Sequence, residues 1–382
     1  MGRIWLKMSG THKHILFAVS SHGYGHLSQM APVVNALKQA YPEYTVSIQT
    51  ALPPEILTAR IKVPFNPINF DADVGLLMDD AVTVKTEATR LAYRTFHDHW
   101  EDNFQKQLDI LQSSNVDLVM ADIPYLPLLA AQELSLKTIA VCSLNWADIL
   151  SGYFKQDKEM AGYMALMRRA YSQADVFLKP QPAMSMSWLS NSQFIQPLVT
   201  TGKNLRSRLL DELALEQKNN TVLVLLALGG IDSEISLENW PDYNNVHIIV
   251  QDRPGASGKA INFGRKKWLH GIQDSSLSFT DIVQSVDVLI TKPGYGLFAE
   301  AAFGRKPVFY VGRPDWPEEP YLLQWLKDYV SMIAISKNEL YHGIEESAIQ
   351  KLAHSAQDTA NKQAILNTGI EQAVDCLVQL IE

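Results

Sequence analysis

The chain has 382 residues, enough for two or three domains, with 47% hydrophobic and 19% charged residues, a globular composition able to bury substantial cores. A formal net charge of −8 argues against a general nucleic-acid binder, whose footprint is basic, and leaves room for a local site for one small anion. Two cysteines, Cys142 and Cys376, make neither a disulfide framework nor a zinc spacing, and no apolar run approaches the roughly 20 residues of a transmembrane segment, so a reducing, cytoplasmic setting is expected.

His14 to Ser20 reads as a first strand, its apolar part too short for a signal peptide. It runs into Ser21-His22-Gly23-Tyr24-Gly25-His26, after which Leu27, Met30, Val33, Val34 and Leu37 recur at helical spacing as far as Tyr41-Pro42. Val46 to Gln49 is a second strand, Pro53 to Pro67 mostly loop with a short helix. Glu87 to Leu111 reads as one long helix with Leu91, Phe96, Trp100 and Phe104 partly buried. Val116 to Met120 is a strand running into Ala121-Asp122, followed by a helix (Leu126 to Leu134) and a strand (Thr138 to Cys142). Asp175 to Leu178 is the last strand of this half, and the irregular stretch from Pro180 to Pro197 is a boundary.

Thr221 to Leu228 restarts the alternation as a continuously apolar, doubly buried strand ending in Gly229-Gly230. Val246 to Val250 is the next strand, and a short helix spans Asp281 to Ser285. Asp287 to Leu323 then reads strand, glycine turn, helix, strand, loop: Val288 to Ile290 ends in Thr291-Lys292-Pro293-Gly294, and Leu297, Phe298, Ala301 and Ala302 follow at helical spacing. A helix (Tyr321 to Tyr329), a strand (Ser331 to Ile335) and a helical tail from Glu345 to Ile381, broken near Asn367-Thr368-Gly369, complete the chain. Strands alternating with helices imply parallel sheets with ligands at the carboxyl ends of the strands. The expected architecture is α/β: two doubly wound Rossmann-like domains facing each other across a cleft.

The glycine turn at 292–296 suits a phosphate. A helix N-terminus opening there offers free N–H groups and a partial positive charge, Gly294 and Gly296 let backbone approach a ligand, and Lys292 adds a mobile cation. Glu300 lies about one and a half turns along, where a carboxylate could accept hydrogen bonds from ribose hydroxyls. No GxxxxGK[ST] occurs, so this is not a P-loop, and a glycine turn joining strand to helix without any ligand is the plain alternative.

These residues resemble the donor-binding segment of GT-B glycosyltransferases. KPGYGLFAEA with PVFYVGRPDWPEEPYLL is similar to the glycosyltransferase-like domain fused to plant arabinokinases and to its free-standing bacterial relatives. SHGYGHLSQMAPVVNAL, VMADIPYLPLLAAQELSLKTIAVCSLNWADIL and LLALGGID resemble further blocks of that family in the same order. The resemblance implies a GT-B fold with an acceptor-side domain over residues 1–195, joined by a C-terminal helix at 360–382, and a nucleotide-sugar donor domain over 200–355.

It also implies site residues. His26 matches the catalytic histidine of the wider superfamily and Asp122 the acid that orients its ring; an imidazole can act as base near neutrality, and a carboxylate partner fixes its tautomer. His22 is the second choice for the base, and Asp122 as a helix N-cap is the alternative. Gly229, Gly230, Lys292, Gly294, Tyr295 and Gly296 are assigned to the diphosphate and Glu300 to the ribose. Arg313, Glu318 and Glu319 stand in the loop where many relatives carry an acid–glutamine pair for the donor sugar; two adjacent carboxylates depart from that pattern, and a solvated acidic loop is the other reading. Asp71-Ala-Asp73 matches a DxD metal pattern outside its fold, so no metal is expected, and Cys142 and Cys376 read as structural.

The function expected is transfer of a sugar, of hexosyl or N-acetylhexosaminyl type, from a nucleoside diphosphate sugar such as a UDP-sugar to a hydroxyl, metal-independent and inverting. The donor is a co-substrate and no cofactor is needed. The acceptor, small molecule, glycan or lipid-linked, stays open. A GT-B-type UDP-sugar epimerase and a non-catalytic sugar-nucleotide-binding regulatory module are the alternatives.

Overall fold

A computed structural model describes residues 12–80, 82–216, 220–229, 235, 237–250, 266–272, 275–355 and 365–382. The chain divides into two compact units. Unit 1 holds residues up to Leu77, Lys85–Val199 and Leu366–Glu382; unit 2 holds Met78–Val84 and Thr200–Ile365.

Unit 1 runs β1 (His14–Val19), α1 (Gly25–Ala40), β2 (Thr45–Gln49), α2 (Pro54–Arg60), β3 (Asn66–Ile68), α3 (Thr86–Asp98), α4 (Trp100–Ser113), β4 (Leu118–Asp122), α5 (Tyr125–Glu133), β5 (Lys137–Val141), α6 (Trp146–Tyr153), α7 (Lys158–Gln173), β6 (Val176–Pro180) and β7 (Ser192–Ile195). Unit 2 continues with α8 (Arg206–Glu212), β8 (Val222–Ala227), β9 (Val246–Val250), β10 (Leu269–Gly271), α9 (Phe279–Ser285), β11 (Val288–Thr291), α10 (Tyr295–Gly304), β12 (Val308–Val311), α11 (Glu319–Leu326), β13 (Met332–Ile335), α12 (Lys337–His342) and α13 (Glu346–His354). The last helix, α14 (Gly369–Ile381), returns to unit 1.

Among the described residues, unit 1 carries a seven-stranded sheet in the order β3-β2-β1-β4-β5-β6-β7 and unit 2 a six-stranded sheet in the order β10-β9-β8-β11-β12-β13. The ladders within both are parallel, the doubly wound arrangement with helices on both faces. A repeated device sets the register. An aspartate just before a strand accepts a backbone N–H from the neighbouring strand: Asp117 from His14 (2.8 Å), Asp175 from Thr138 (2.8 Å) and Asp287 from Leu223 (2.7 Å). Each bond satisfies a donor at the strand's start, and sliding the pair by one residue would break it and turn the apolar set outward.

Four expectations change. The long helix of 87–111 is two helices, because the chain turns at His99 and lets the His97 ring stack on Tyr163 (3.9 Å between centroids) and Trp100 (5.2 Å). Leu91 is exposed on the solvent face of α3, whereas Phe96, Trp100 and Phe104 are partly buried. The irregular stretch 180–197 contains β7, an edge strand that follows β6, so the strand at 176–180 is not the last of its sheet. Finally, β3, β10 and α12 are only three to six residues long and gave too little periodicity to be recognised.

The break before α14 has a steric reason. A Cβ on Gly369 would lie 2.1 Å from the Gln196 carbonyl oxygen and 2.5 Å from that of Pro197, so only glycine lets the helix start this close to the segment after β7. From there α14 buries Ala373, Val374 and Leu377 in the core shared with α1 and the unit 1 strands. Of the expected 360–382 helix, residues 360–364 lie outside the described residues.

Residues 78–84 are a short hairpin that belongs to unit 2 although unit 1 sequence flanks it. Met78 bridges Val84, and the Asp80 carboxylate accepts the Val82 and Thr83 N–H groups at 2.7 and 2.8 Å. Lys337 reaches Asp80 at 3.7 Å and Thr83 at 3.2 Å, while Val82 packs on the unit 2 core.

Candidate active site

In unit 1 the chain leaves β1 and enters α1 through the Ser20–Tyr24 turn, so His26 stands in the first turn of α1 at the carboxyl edge of the sheet. β4 pairs directly with β1, Val19 opposite Asp122, which places Asp122 beside that turn as the last residue of β4 rather than beyond it. His26 Nδ1 lies 2.8 Å from Asp122 Oδ1, and both side chains are buried. The N-cap alternative for Asp122 is not what forms: α5 starts from Pro124 without a side-chain cap. Burial pushes the Asp122 carboxyl up, while His26 and Cys142 pull against it by charge and hydrogen bonding.

A second loop clamps the same turn. Asp73 accepts from Trp146 Nε1 at 2.6 Å and from Ser20 Oγ at 3.2 Å, and Asp71 accepts from Ser21 Oγ at 2.8 Å. His22 lies edge-on to Trp146 with 5.2 Å between centroids, its Nδ1 facing the Leu76 N–H at 3.3 Å. Gly75 next to it adopts φ +64°, and a Cβ there would come within 2.8 Å of His22 Cβ. His26 and His22 therefore differ. His26 is oriented by a buried carboxylate, whereas His22 is held by a backbone amide that needs its Nδ1 as acceptor.

Asp73, Trp146 and Cys142 are the residues that sequence reasoning missed as neighbours of His26 and its turn. Asp71 and Asp73, whose spacing matches a DxD pattern, turn their carboxylates to different serines. Burial pushes Asp73 up to about 6, with the Asp71 charge adding to it. The signal available was the position of Cys142 and Trp146 just past a strand end, the same criterion that selected Asp122. Among the described residues, His26, Asp122 and Cys142 are the group of His, Cys, Asp or Glu side chains able to approach a metal ion together, their donor atoms lying within 4.8 Å of one another.

In unit 2 the corresponding edge lies past β8, β11 and β12. Thr291 Oγ1 donates to the Ala227 carbonyl at 2.6 Å, tying the ends of β11 and β8 together. Gly229, just beyond β8, has φ +83°, and a Cβ there would stand 3.5 Å from Lys292 Cε, so the glycine turn lies on the lysine stem. Gly230 lies outside the described residues. α10 begins at Tyr295 with Gly294 as N-cap and no side-chain cap, and its N-terminus carries the partial positive charge that suits an anion. Gly296 is thus already inside the helix rather than in the turn before it. Glu300 is buried one turn further along.

Lys292 is less mobile than its sequence suggested. Burial, and then the positive charge of Arg313, bring it down to about 7, with Asp80 opposing. Arg313 is itself buried, its guanidinium 3.9 Å from the Trp316 ring centroid. Glu318 and Glu319 do not form a solvated acidic loop. Both are buried, Glu318 accepting from Trp316 Nε1 at 3.2 Å and Glu319 from the Arg313 backbone N–H. A Cβ on Gly312 would meet Glu319 Oε1 at 3.4 Å, so this carboxylate shapes the loop after β12.

Solved structures share this architecture end to end. CalG4, a calicheamicin glycosyltransferase, matches with a TM-score of 0.63 at 14% identity over 97% of this chain and 98% of that one. UGT89C1 of Arabidopsis thaliana, complexed with UDP-L-rhamnose, matches with a TM-score of 0.62 at 12% identity over 97% and 100%. The fold is GT-B. In sequence, this GT-B chain is 24% identical over 346 residues to L-arabinokinase of Arabidopsis thaliana, covering 88% of its own length and 32% of that relative. The chain therefore spans about a third of the curated relative it matches. No family model matches it. Among the described residues of the GT-B chain no helix is long and apolar enough to cross a membrane.

Proposed function

We propose that this chain is a glycosyltransferase that moves a hexosyl or N-acetylhexosaminyl group from a nucleoside diphosphate sugar, a UDP-sugar first, to a hydroxyl, without a metal and with inversion. The observation that carries the reading is the half-buried Lys292, whose basicity burial and the charge of the buried Arg313 lower, at the turn that opens α10. Two like charges held together in a low-dielectric setting repel each other, and a bound diphosphate would relieve that cost while accepting hydrogen bonds from the α10 amides. Tyr295 and Gly296 supply amides of that first turn, Gly229 lines the approach, Glu300 takes the ribose, and Glu318 the donor sugar. Glu319 holds the loop.

His26 then acts as base through Nε2, with Asp122 holding Nδ1–H and stabilising the imidazolium that forms as the acceptor hydroxyl loses its proton. The proposed setting is cytoplasmic. That UGT89C1, a protein of this fold, is complexed with UDP-L-rhamnose in one structure and with quercetin in another supports a UDP-sugar and leaves the acceptor class open. The match to one third of an arabinokinase favours one other reading, a sugar-nucleotide-binding module without turnover.

A thermal-shift panel of nucleoside diphosphates and their sugars tests the reading, since a ligand that binds only the native state raises apparent stability by mass action. Silence across the panel would remove it. Glu300→Ala should then weaken UDP binding by about 2 kcal/mol, roughly 30-fold, as expected for a lost hydrogen bond to a charged group; calorimetry on the folded variant decides. Lys292 adds a pH dependence. A diphosphate favours the protonated amine, so UDP-glucose should bind with proton uptake, and its affinity should fall roughly tenfold from about pH 6 to about pH 8 as the free lysine loses its charge near 7. Calorimetry in buffers of different ionisation enthalpy reads the proton directly, and Lys292→Met should abolish both the uptake and the slope.

A further inference from the structure

We propose that His26, Asp122 and Cys142 form a binding site for a zinc-class cation, and that its occupation switches off the base on which the preceding reading of function rests. The three side chains come from the first turn of α1, the end of β4 and the residue after β5, and all are buried. His26 Nδ1 is 2.8 Å from Asp122 Oδ1 and 3.7 Å from Cys142 Sγ.

Around a tetrahedral ion, with bonds of roughly 2.0–2.3 Å, such donors stand roughly 3.3–3.6 Å apart, so side-chain adjustments of about an ångström bring all three onto one centre. Imidazole, thiolate and carboxylate together are the donor set of zinc-like ions rather than of magnesium or calcium, which take oxygen.

A second observation points the same way. Gln29 Oε1 is a buried side-chain oxygen with no hydrogen-bond partner among the described residues, and Asp122 Oδ2 has none apart from the pull of the Cys142 thiol on its carboxyl. Native interiors rarely leave such acceptors unsatisfied. Gln29 lies one turn after His26 on the same helix, and its carboxamide Nε2 is 3.9 Å from the Cys142 sulfur. A half-turn of that amide carries Oε1 toward the thiol, offering a fourth donor.

Binding has a defined proton balance. The Cys142 thiol releases its proton to solvent on becoming a ligand, and the proton on His26 Nδ1 must leave that nitrogen, the ring taking the tautomer protonated at Nε2. Nε2 is the atom that would have to accept the acceptor hydroxyl's proton. A cation at Nδ1 makes it a donor, so catalysis and metal binding exclude one another.

The test is a titration of the full reduced chain with Co²⁺ as probe, read by the thiolate-to-cobalt charge-transfer absorption. One equivalent is expected to produce the band, and Cys142→Ala, or Cys142→Ser if alanine does not fold, to abolish it. His26→Gln should weaken cobalt binding at least tenfold, whereas Cys376→Ala should keep the band. No band in the parent chain, or a band lost with Cys376 and kept without Cys142, overturns the site. Where UDP-sugar turnover is measurable, Zn²⁺ should inhibit the parent chain reversibly with chelator and leave the residual turnover of Cys142→Ala insensitive; equal inhibition of both overturns the switch. Absence of turnover counts against the transferase reading alone, because the cobalt band needs none.

Discussion

Replacing His26 by alanine should lower UDP-sugar turnover roughly 10²–10⁴-fold, the scale of general-base contributions, while leaving UDP affinity nearly unchanged. The split follows from the division of labour, since the diphosphate is assigned wholly to unit 2 and His26 belongs to unit 1. Asp122→Asn should cost a comparable factor, because an amide can stabilise the wrong tautomer at 2.8 Å from Nδ1 and offers no charge to the imidazolium. The double variant should be scarcely worse than either, as expected of residues acting as one unit. His22→Ala supplies the contrast: its Nδ1 is engaged by the Leu76 N–H, so a smaller loss is expected. Steady-state kinetics beside calorimetry of UDP settle the matter. A larger loss at His22, or a parallel loss of nucleotide affinity at His26, would refute the assignment.

The second large effect concerns stability and comes from Asp73. Burial raises its carboxyl to about 6 from the 3.8 of an unperturbed aspartate, so the folded state holds the proton more tightly than the unfolded state does. The associated stability is complete below about pH 4 and is lost as pH rises through 6, a difference approaching 3 kcal/mol at about 1.4 kcal/mol per unit. Asp73→Asn keeps an oxygen for Trp146 Nε1 and turns an amide hydrogen toward the Ser20 hydroxyl, which can accept it. The variant should match the parent near pH 3 and exceed it by up to about 3 kcal/mol near pH 8. Urea midpoints at the two pH values give the comparison, and a constant offset between the proteins would show that Asp73 is not the titrating group.

Much of the fold was legible because parallel sheets announce themselves. Strands such as Val222–Ala227 are apolar throughout, and the helices between them carry 3.6-residue periodicity. The site was legible for the same reason: in such sheets ligand groups stand at carboxyl edges, and His26, Asp122, Lys292 and Gly294 could be placed there by counting. What escaped depends on contacts distant in sequence. Nothing local in Asp73 says that it faces Trp146, seventy-three positions away. The break at His99 is made by a ring stacking on Tyr163 from α7, and Glu319 reads as a solvated acid until the loop folds it onto the Arg313 N–H. The motif reading of Lys292 placed it at the end of β11 but could not give its lowered basicity, which is a property of the packing around it and of the Arg313 charge rather than of the turn itself.

The hairpin at 78–84 bears on how such a protein can be cut and recombined. A unit 2 excised at the obvious border, Thr200 to Ile365, would lack Val82 from its core, the Asp80–Lys337 pair and the carboxylate that opposes the lowering of Lys292. A chimera joining a foreign N-terminal sequence to unit 2 would replace residues 78–84 along with it, so exchanging unit 1 carries a hidden change in unit 2. Transplanting residues 78–84 along with residues 200–365 restores the native partner set, although more than a hundred codons separate the two pieces.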